Sequence, residues 1–236
     1  MKNLSFTLFL QGLLFKMLDR FLRKKLSQNI LREKVSIVSN DCWGGVAYQF
    51  AGIEYNTPFV GLFLMAPCYL KLLQRFKFHF ERNELRFIKE SKYDSVNQFR
   101  EQKQLRYPIA LLNSEVEVHF MHFETEKEAK ETWLRRSERI NFDNLAIKFD
   151  GGKDGVSEEL IDAFMSLPFT KKLLIKPSNI NAVAQQQLSL ISWVEDGAKV
   201  FPISCQNFNV FLWLRTGLVK QTVINKLVWR WVFAKK

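Results

Sequence analysis

Three short runs of branched apolar residues, separated by helical patterns, constrain the fold of this chain most. They are "VSIVS" (35–39), "LAIKFD" (145–150) and "KKLLIKP" (171–177). Each run has the length and composition of a buried strand. Strands that alternate with helices form a parallel sheet with helices packed on its faces. The pattern therefore predicts a single α/β domain with a mostly parallel (mixed) sheet and Rossmann-like layering.

Capping residues mark the helices between these strands. Thr125 followed by Glu128 is a capping-box pattern, which predicts a helix start at this point. Ser157 begins a second helix predicted over 157–167, because a serine side chain can accept a hydrogen bond from the first turn. A shorter helix is predicted over 42–51, immediately after the first strand, with a glycine as its stop signal.

The remaining elements follow from periodicity and turn residues. Residues 69–80 have helical spacing, and 107–113 with 116–123 form a predicted hairpin around an Asn-Ser-Glu turn. Residues 59–64 are a further apolar run, and 200–204 is predicted as the last strand. No internal repeat is visible.

The net charge of +11 lies almost entirely at the two ends of the chain. Residues 1–34 contain eight Lys or Arg and two acidic residues, and residues 206–236 contain six Lys or Arg and no acidic residue. The middle is close to neutral, which argues against nucleic-acid binding at the central motifs. We therefore predict a basic N-terminal arm (1–34), an α/β domain (35–205) and a basic aromatic C-terminal tail (206–236).

Both ends combine this charge with apolar side chains. The arm has the spacing of an amphipathic helix, and the tail contains Trp213, Trp229 and Trp231. The apolar stretches of the arm are too short to cross a bilayer, which takes about 20 residues. Two interpretations stay open: the ends dock on an anionic membrane surface, or they pack on the domain as amphipathic terminal helices.

The three cysteines, Cys42, Cys68 and Cys205, have unrelated spacings. This pattern indicates neither a disulfide framework nor a zinc cluster, and no metal site is expected. Unpaired cysteines fit a reducing compartment. We therefore expect a cytoplasmic protein, peripheral at the inner membrane if its ends bind lipid.

The strongest candidate for a site is the end of the first strand, "SNDCWGG". Ligands of open α/β sheets bind at the carboxyl ends of strands. We predict Ser39 or Cys42 as nucleophile or oxyanion partner, and Asn40 with the helix N-terminus as the oxyanion site. The helix dipole favours a thiolate in the first turn. The alternative is a capped structural corner with a buried cysteine.

Residues that follow the cysteine complete this candidate. Trp43, Gly44 and Gly45 are predicted to contact the substrate, because two glycines would leave backbone N–H groups open to a phosphate or an oxyanion. His122 is the predicted general base. His119 and His122 are three residues apart on a predicted strand and would point to opposite faces, so a shared metal site is not expected. We expect Asn40, Cys42 and His122 around one cavity.

A second candidate lies in "WLRRSERINFDN". Its substrate-binding residues are predicted to be Trp133, Arg136, Arg139 and Asn141, because an indole and several guanidinium groups can bind a sugar face together with an anionic group. The alternative is that the arginines only interact favourably with the dipole at the C-terminal end of their own helix.

Four motifs taken together, "VSIVSNDCWGG", "YNTPFVGLF", "VEVHFMHF" and "TWLRRSERINFDNLAIKF", resemble the bacterial family of domain of unknown function 1919. The resemblance runs from Val35 to Lys176. Its members are encoded among capsule, exopolysaccharide and lipopolysaccharide genes, and some are labelled acetyltransferases. The resemblance thus implies surface-glycan synthesis. Asp41 stands where an asparagine is expected in many relatives.

Three functions follow as expectations. The first is an acyl transferase that modifies a sugar hydroxyl with acyl-CoA as donor, using Arg136 and Arg139 for a phosphate or an acidic sugar. The second is a glycosyltransferase-like enzyme that uses a nucleotide sugar. The third is a non-catalytic glycan-binding or assembly protein at the inner membrane face. The expected partners are a glycan or lipid-linked glycan and an anionic membrane surface, without nucleic acid.

Overall fold

The computed structural model describes residues 2–179, 182–190, 194, 196–221 and 223–233. The strands are β1 (Ser36–Ser39), β2 (Leu85–Ile88), β3 (Ile109–Leu112), β4 (Val116–His119), β5 (Leu145–Asp150), β6 (Lys171–Pro177), β7 (Ala182–Ala184) and β8 (Gln187–Leu190). The helices are α1 (Lys2–Glu33), α2 (Trp43–Ala51), α3 (Ala66–Gln74), α4 (Phe76–Arg82), α5 (Asp94–Gln102), α6 (Glu126–Ser137), α7 (Glu158–Ser166), α8 (Gly197–Asn207), α9 (Val210–Thr216) and α10 (Val223–Phe233).

The main sheet has the strand order β1-β5-β6-β8-β7. Its first four strands are parallel, and β7 is antiparallel to β8. This confirms the predicted α/β domain with a mostly parallel sheet. The predicted hairpin forms, but it does not join that sheet. Strands β3 and β4 pair with β2 in a separate antiparallel sheet, and a bridge between Phe63 and His119 extends it.

Apolar side chains cover both faces of the main sheet. Successive strand residues point to opposite faces, so Ile37 and Val38 of β1 enter different clusters. The cluster of Ile37 includes side chains of α1, α2, α8, α9 and α10, and the cluster of Val38 includes side chains of α3, α6 and α7 and of the small sheet. Helices on both faces of a parallel sheet give the Rossmann-like layering.

The predicted caps are present. The Thr125 side chain accepts a hydrogen bond from Glu128 N at the start of α6, and Ser157 does the same for Leu160 N at the start of α7. The helical pattern of 69–80 is divided between α3 and α4, because the backbone leaves the helical region at Arg75.

One element is wrong: residues 200–204, predicted as a strand, lie inside α8. Asp196 caps this helix through Ala198 N. The buried residues Val200, Phe201, Ser204 and Cys205 recur with helical spacing and pack on the core. The five residues predicted as a strand were too few to reveal this helical period. The predicted domain limit at 205 also falls within this helix.

Both ends of the chain pack on the domain. Leu22, Leu26 and Ile30 of α1 are in the core, as are Trp213 of α9 and Trp229 of α10. Two of the three tryptophans considered for a membrane interface are therefore core residues, and the Trp231 side chain lies outside the described residues. Among the described residues, no helix is both long and apolar enough to cross a membrane.

Candidate functional site

The corner between β1 and α2 is held by its own side chains. Ser39 Oγ donates to Asp41 O (2.8 Å) and accepts from Gly44 N (3.1 Å). Asp41 Oδ1 accepts from Trp43 N at 3.1 Å. The first two N–H groups of α2 are thus already bonded within the protein. The predicted bare helix N-terminus is wrong, because the serine and the aspartate occupy those donors.

Close packing explains why the motif has glycine at positions 44 and 45. A Cβ on Gly44 would lie 2.8 Å from Ser39 Oγ, and one on Gly45 would lie 3.1 Å from Val60 Cγ1. Both glycines are buried. They allow α2 to lie directly against β1 and its neighbouring loop, and neither lines the pocket described below.

Asn40 links the ends of two parallel strands. Its Oδ1 accepts from Asp150 N (2.9 Å), and its backbone oxygen accepts from Leu64 N (3.0 Å). Ser39 and Asn40 are fully buried. Trp43 is also fully buried, and its Nε1 donates to Ser204 Oγ at 2.9 Å. These three residues are placed in the scaffold beneath the corner, not on a surface that a substrate could reach.

A buried charge cluster lies beneath the same corner. Lys148 Nζ is 2.6 Å from Asp41 Oδ2 and 3.6 Å from Asp150 Oδ2, and all three side chains are buried. Burial raises the pKa of Asp41, but Lys148 and Lys153 outweigh it and hold that pKa below its ordinary value. Burial raises the pKa of Asp150 to about 7, which Lys148 only partly offsets. One carboxyl is therefore ionised and the other titrates near neutrality.

The structure brings Cys42 and His122 together. Cys42 Sγ lies 3.7 Å from His122 Nε2, within hydrogen-bond distance for sulfur. Cys42 stands at the start of α2, and His122 lies in the turn after β4, where its N–H donates to Gly61 O. Gly61 has a φ of 80°, and a Cβ there would come 3.3 Å from His122 Cβ. A glycine is required at this point for the two loops to meet.

The thiol is not a preformed thiolate. Burial and, next, the Asp41 carboxylate raise the pKa of Cys42 above its ordinary value. The expectation that the helix dipole favours the thiolate is therefore wrong: the desolvation and the adjacent anion outweigh it. Cys42 needs a base to become a nucleophile at neutral pH, and His122 is placed to be that base.

Cys42 lines a cavity of about 530 Å³ at the carboxyl ends of β1 and β5. Its polar lining comes from Asp41, Cys42, Ser95, Lys153, Asp154 and Asp196, and its apolar lining from Phe63, Met65, Val96, Phe99 and Met121. Two glycines, Gly155 and Gly197, complete it. This volume and this mixture of apolar walls and a few polar groups are typical of a small-molecule site.

The loop after β5 contributes the charges at the wall of the cavity. Burial lowers the pKa of Lys153, but Asp154, Asp41 and Asp150 outweigh it and raise that pKa above its ordinary value, so the amine is a cation. Burial raises the pKa of Asp154. The loop turns tightly, with a φ of 60° at Asp154 and 76° at Gly155, which places both charged side chains beside the thiol's end of the cavity.

The second sequence candidate lies elsewhere and has structural partners. Arg136 Nη1 donates to Val60 O (3.1 Å), and Arg139 Nη1 donates to Tyr55 O (3.2 Å). The remaining two residues are also bonded within the fold: Trp133, which is buried, donates to Asn83 Oδ1, and Asn141 Nδ2 donates to Lys34 O. None of these four predicted binding residues lines the cavity. Arg136, Arg139 and Asn141 bond the segments around α2 and β1, and Trp133 bonds the end of α4.

Sequence reasoning missed Lys148, Asp150, Lys153, Asp154 and Asp196. A signal for four of them is present in "LAIKFDGGKDG". Lys148 and Asp150 are two apart on a strand and so share a face, and a charged pair inside an apolar strand is a marker of a buried site. Among the described residues, no group of three or more His, Cys, Asp or Glu is arranged to hold a metal ion.

Comparison with known proteins gives the family of the chain. A family model described as "Domain of unknown function (DUF1919)" matches residues 13–204. An uncharacterised protein of Haemophilus influenzae is 30% identical over 154 residues, which cover 65% of this chain and 67% of that relative. Because the family model covers most of the chain, the protein belongs to the DUF1919 family.

Proposed function

We propose that this protein is a cytoplasmic bacterial enzyme of surface-polysaccharide synthesis that transfers an acyl group from a thioester to a sugar hydroxyl. The observation that carries the proposal is the thiol–imidazole pair: Cys42 Sγ lies 3.7 Å from His122 Nε2, and Cys42 lines a cavity of about 530 Å³ that neither His122 nor Asn40 lines. A cysteine activated by an adjacent histidine is a recurrent arrangement for acyl transfer. The polysaccharide setting rests on the resemblance described above.

In the first half-reaction, the acyl group moves to the protein. His122 Nε2 takes the proton of the Cys42 thiol as the sulfur attacks the carbonyl carbon of the thioester donor, such as acyl-CoA. A C–S bond to Cys42 forms, and the C–S bond to the donor breaks. The donor sulfur leaves with the proton that His122 held. The products are acyl-Cys42 and a free donor thiol, so protons and electrons balance.

In the second half-reaction, the acyl group moves to the glycan. His122 takes the proton of a sugar hydroxyl while its oxygen attacks the carbonyl of acyl-Cys42. The new C–O ester bond forms as the C–S bond breaks, and His122 returns the proton to the Cys42 sulfur. The raised pKa of Cys42 suits a mechanism in which proton and bond transfer are coupled, because a free thiolate is disfavoured.

The wall of the cavity fits both reactants. Lys153 is a cation in the wall of the same cavity as Cys42, where it would stabilise the negative charge that develops on the carbonyl oxygen. Asp154 and Asp196 offer carboxylate oxygens that accept hydrogen bonds from sugar hydroxyls. Phe63 and Phe99 supply apolar surface for a sugar ring.

The nucleotide-sugar alternative is less well supported. It relied on Arg136 and Arg139 to bind a diphosphate, but their guanidinium groups donate to backbone carbonyls, and Arg139 also pairs with Glu54.

The test is release of free thiol from acetyl-CoA in the presence of a panel of bacterial polysaccharides. Wild type should release about one equivalent of thiol as Cys42 is acylated, and should continue to release thiol only with an acceptor. Cys42→Ala should abolish release, and His122→Ala should slow it by about 10²–10⁴-fold. Cys205→Ala, which removes a buried thiol away from the cavity, is the matched control and should retain the rate.

Two outcomes would contradict the proposal. Release that persists in Cys42→Ala would show that the reaction does not pass through this thiol. Polysaccharide binding without any thiol release, across several acyl-CoA donors, would favour a glycan-binding protein without acyl-transfer activity.

A further inference from the structure

The middle of α1, from Leu10 to Phe21, presents an apolar surface to solvent. Each member lies three or four residues from another along one side of the helix: Leu10, Leu13, Leu14, Met17 and Phe21, which we call the α1 stripe. Their side chains are between 46% and 61% exposed. Further along the same helix, Leu22, Leu26 and Ile30 enter the core and are almost fully buried, although Leu31 is exposed. The stripe is therefore the part of the amphipathic helix that the domain does not cover.

Cations border the stripe. Lys16, Arg20, Lys24 and Lys25 are all exposed. Asp19 is the one acidic residue before Glu33 in the sequence, and it is paired with Arg23 at 2.6 Å. The surface that an approaching partner meets is thus apolar in the middle and positive at its margins.

We propose that the α1 stripe is a docking surface for an anionic lipid bilayer, with α1 lying in the plane of the headgroups. Charge complementarity selects this partner: apolar side chains flanked by lysines and arginines are the pattern of helices that bind anionic membrane interfaces. A second copy of the chain would also cover the apolar residues, but two-fold pairing of the stripe would bring the cations of both copies together. A bilayer provides the opposite charge.

This surface differs from the one that the sequence suggested. The tail was expected to contribute its tryptophans, yet Trp213 and Trp229 are fully buried. The proposal therefore rests on α1 alone, and it needs no membrane-spanning segment. It does not depend on the acyl-transfer reaction, because vesicle binding is measured without turnover.

The experiment is flotation of the full-length protein with vesicles of phosphatidylglycerol and phosphatidylcholine, compared with phosphatidylcholine alone. Wild type should float with the anionic vesicles, less so at 1 M salt, where the Debye length falls to about 3 Å. Lys16→Glu with Arg20→Glu should reduce partitioning by about 30-fold or more. Leu14→Ser with Met17→Ser should abolish it. All four positions are exposed, so the fold should be retained.

Matched controls come from α6. Lys130→Glu with Arg135→Glu makes the same charge change on another exposed helix, and Leu134→Ser removes an exposed leucine there. Both should float as wild type does. Equal loss in the α6 variants, or equal flotation with neutral vesicles, would overturn the proposal. Sedimentation velocity gives a further test. If wild type is a dimer and Leu14→Ser with Met17→Ser is a monomer, the stripe is a contact between two copies and the proposal is overturned.

Discussion

Asp41 sets both the geometry and the electrostatics at the end of β1. One carboxylate oxygen accepts from Trp43 N and the other binds Lys148, so the side chain joins the start of α2 to the centre of β5. The motif around it includes Cys42, which lines the cavity. The roles of Ser39 and Asn40 could not be predicted, because their partners depend on how distant segments pack.

Removing one negative charge near Cys42 should make its thiol more reactive. Asp196 is one of the groups that raise the pKa of Cys42. Asp196→Asn keeps a good helix cap for α8, so the fold should survive. We expect faster alkylation by iodoacetamide at pH 8 and an alkylation midpoint at lower pH. The control is Asp162→Asn on exposed α7, which should leave the profile unchanged; an identical profile for Asp196→Asn would contradict the electrostatic argument.

Asp150 should make the protein less stable as pH rises toward neutrality. Its pKa is raised from about 3.8 in the unfolded chain to about 7 in the fold. A carboxyl with a raised folded-state pKa favours the folded state at low pH, and this contribution is lost as pH rises through the folded pKa. Asp41 has the opposite sign, but its lowered pKa confines its effect to pH below about 4.

The measurement is urea unfolding of wild type and Asp150→Asn at several pH values from 4 to 8. Between pH 4 and 7, the free energy of unfolding of wild type should fall by about 2–4 kcal/mol relative to the variant. Parallel curves for the two proteins would show that Asp150 does not titrate in this window.

Among the elements, those with local signals were predictable. The strands β1, β5 and β6 each contain a short run of apolar residues, and Thr125 and Ser157 cap α6 and α7. Strands β7 and β8 carry no such pattern, since "AVA" and "QLSL" are short and mixed. They form because the exposed edge of β6 offers backbone partners. Helix α8 was misread because its apolar face has to be followed over eleven residues to show a helical period.

The start of α8 should depend on a glycine. A Cβ on Gly197 would lie 2.4 Å from Asp41 Oδ2, and that carboxylate is fixed by Lys148. Gly197→Ala should therefore cost about 1–3 kcal/mol of unfolding free energy. Gly12→Ala on α1 is the matched control: nothing lies within 4 Å of its Cβ, and it should stabilise by about 0.5–1 kcal/mol. A neutral Gly197→Ala would show that α8 can move away from Asp41.

For the whole molecule, the two ends that the charge distribution set apart belong to the fold. The family match begins at residue 13, within α1, and α1, α9 and α10 cover one face of the main sheet. The sequence allowed both packing and membrane docking. The structure shows packing for Leu22, Leu26 and Ile30 and exposure for residues from Leu10 to Phe21, and membrane docking of the exposed part is our proposal. Composition could not locate that division; only the burial of Leu22, Leu26 and Ile30 does.

Two leucines of α1 should therefore behave differently. Leu26→Ala should lower the free energy of unfolding by about 2–5 kcal/mol, since the side chain is fully buried. Leu14→Ala, on the exposed half of the helix, should change it by less than about 0.5 kcal/mol. Chemical denaturation in the absence of lipid measures both. Equal effects would contradict the division of α1 into a packed half and a free half.

Covalent trapping of the acyl enzyme tests the central claim most directly. Wild type would be mixed with acetyl-CoA without acceptor, quenched in acid and mapped by peptide mass spectrometry. The account predicts one acetyl group on Cys42 and none on Cys68 or Cys205, which are buried. Labelling should be lost in Cys42→Ala and slowed in His122→Ala. An unlabelled Cys42 in a protein that still acetylates a polysaccharide, or the same labelling in Cys42→Ala, would contradict it.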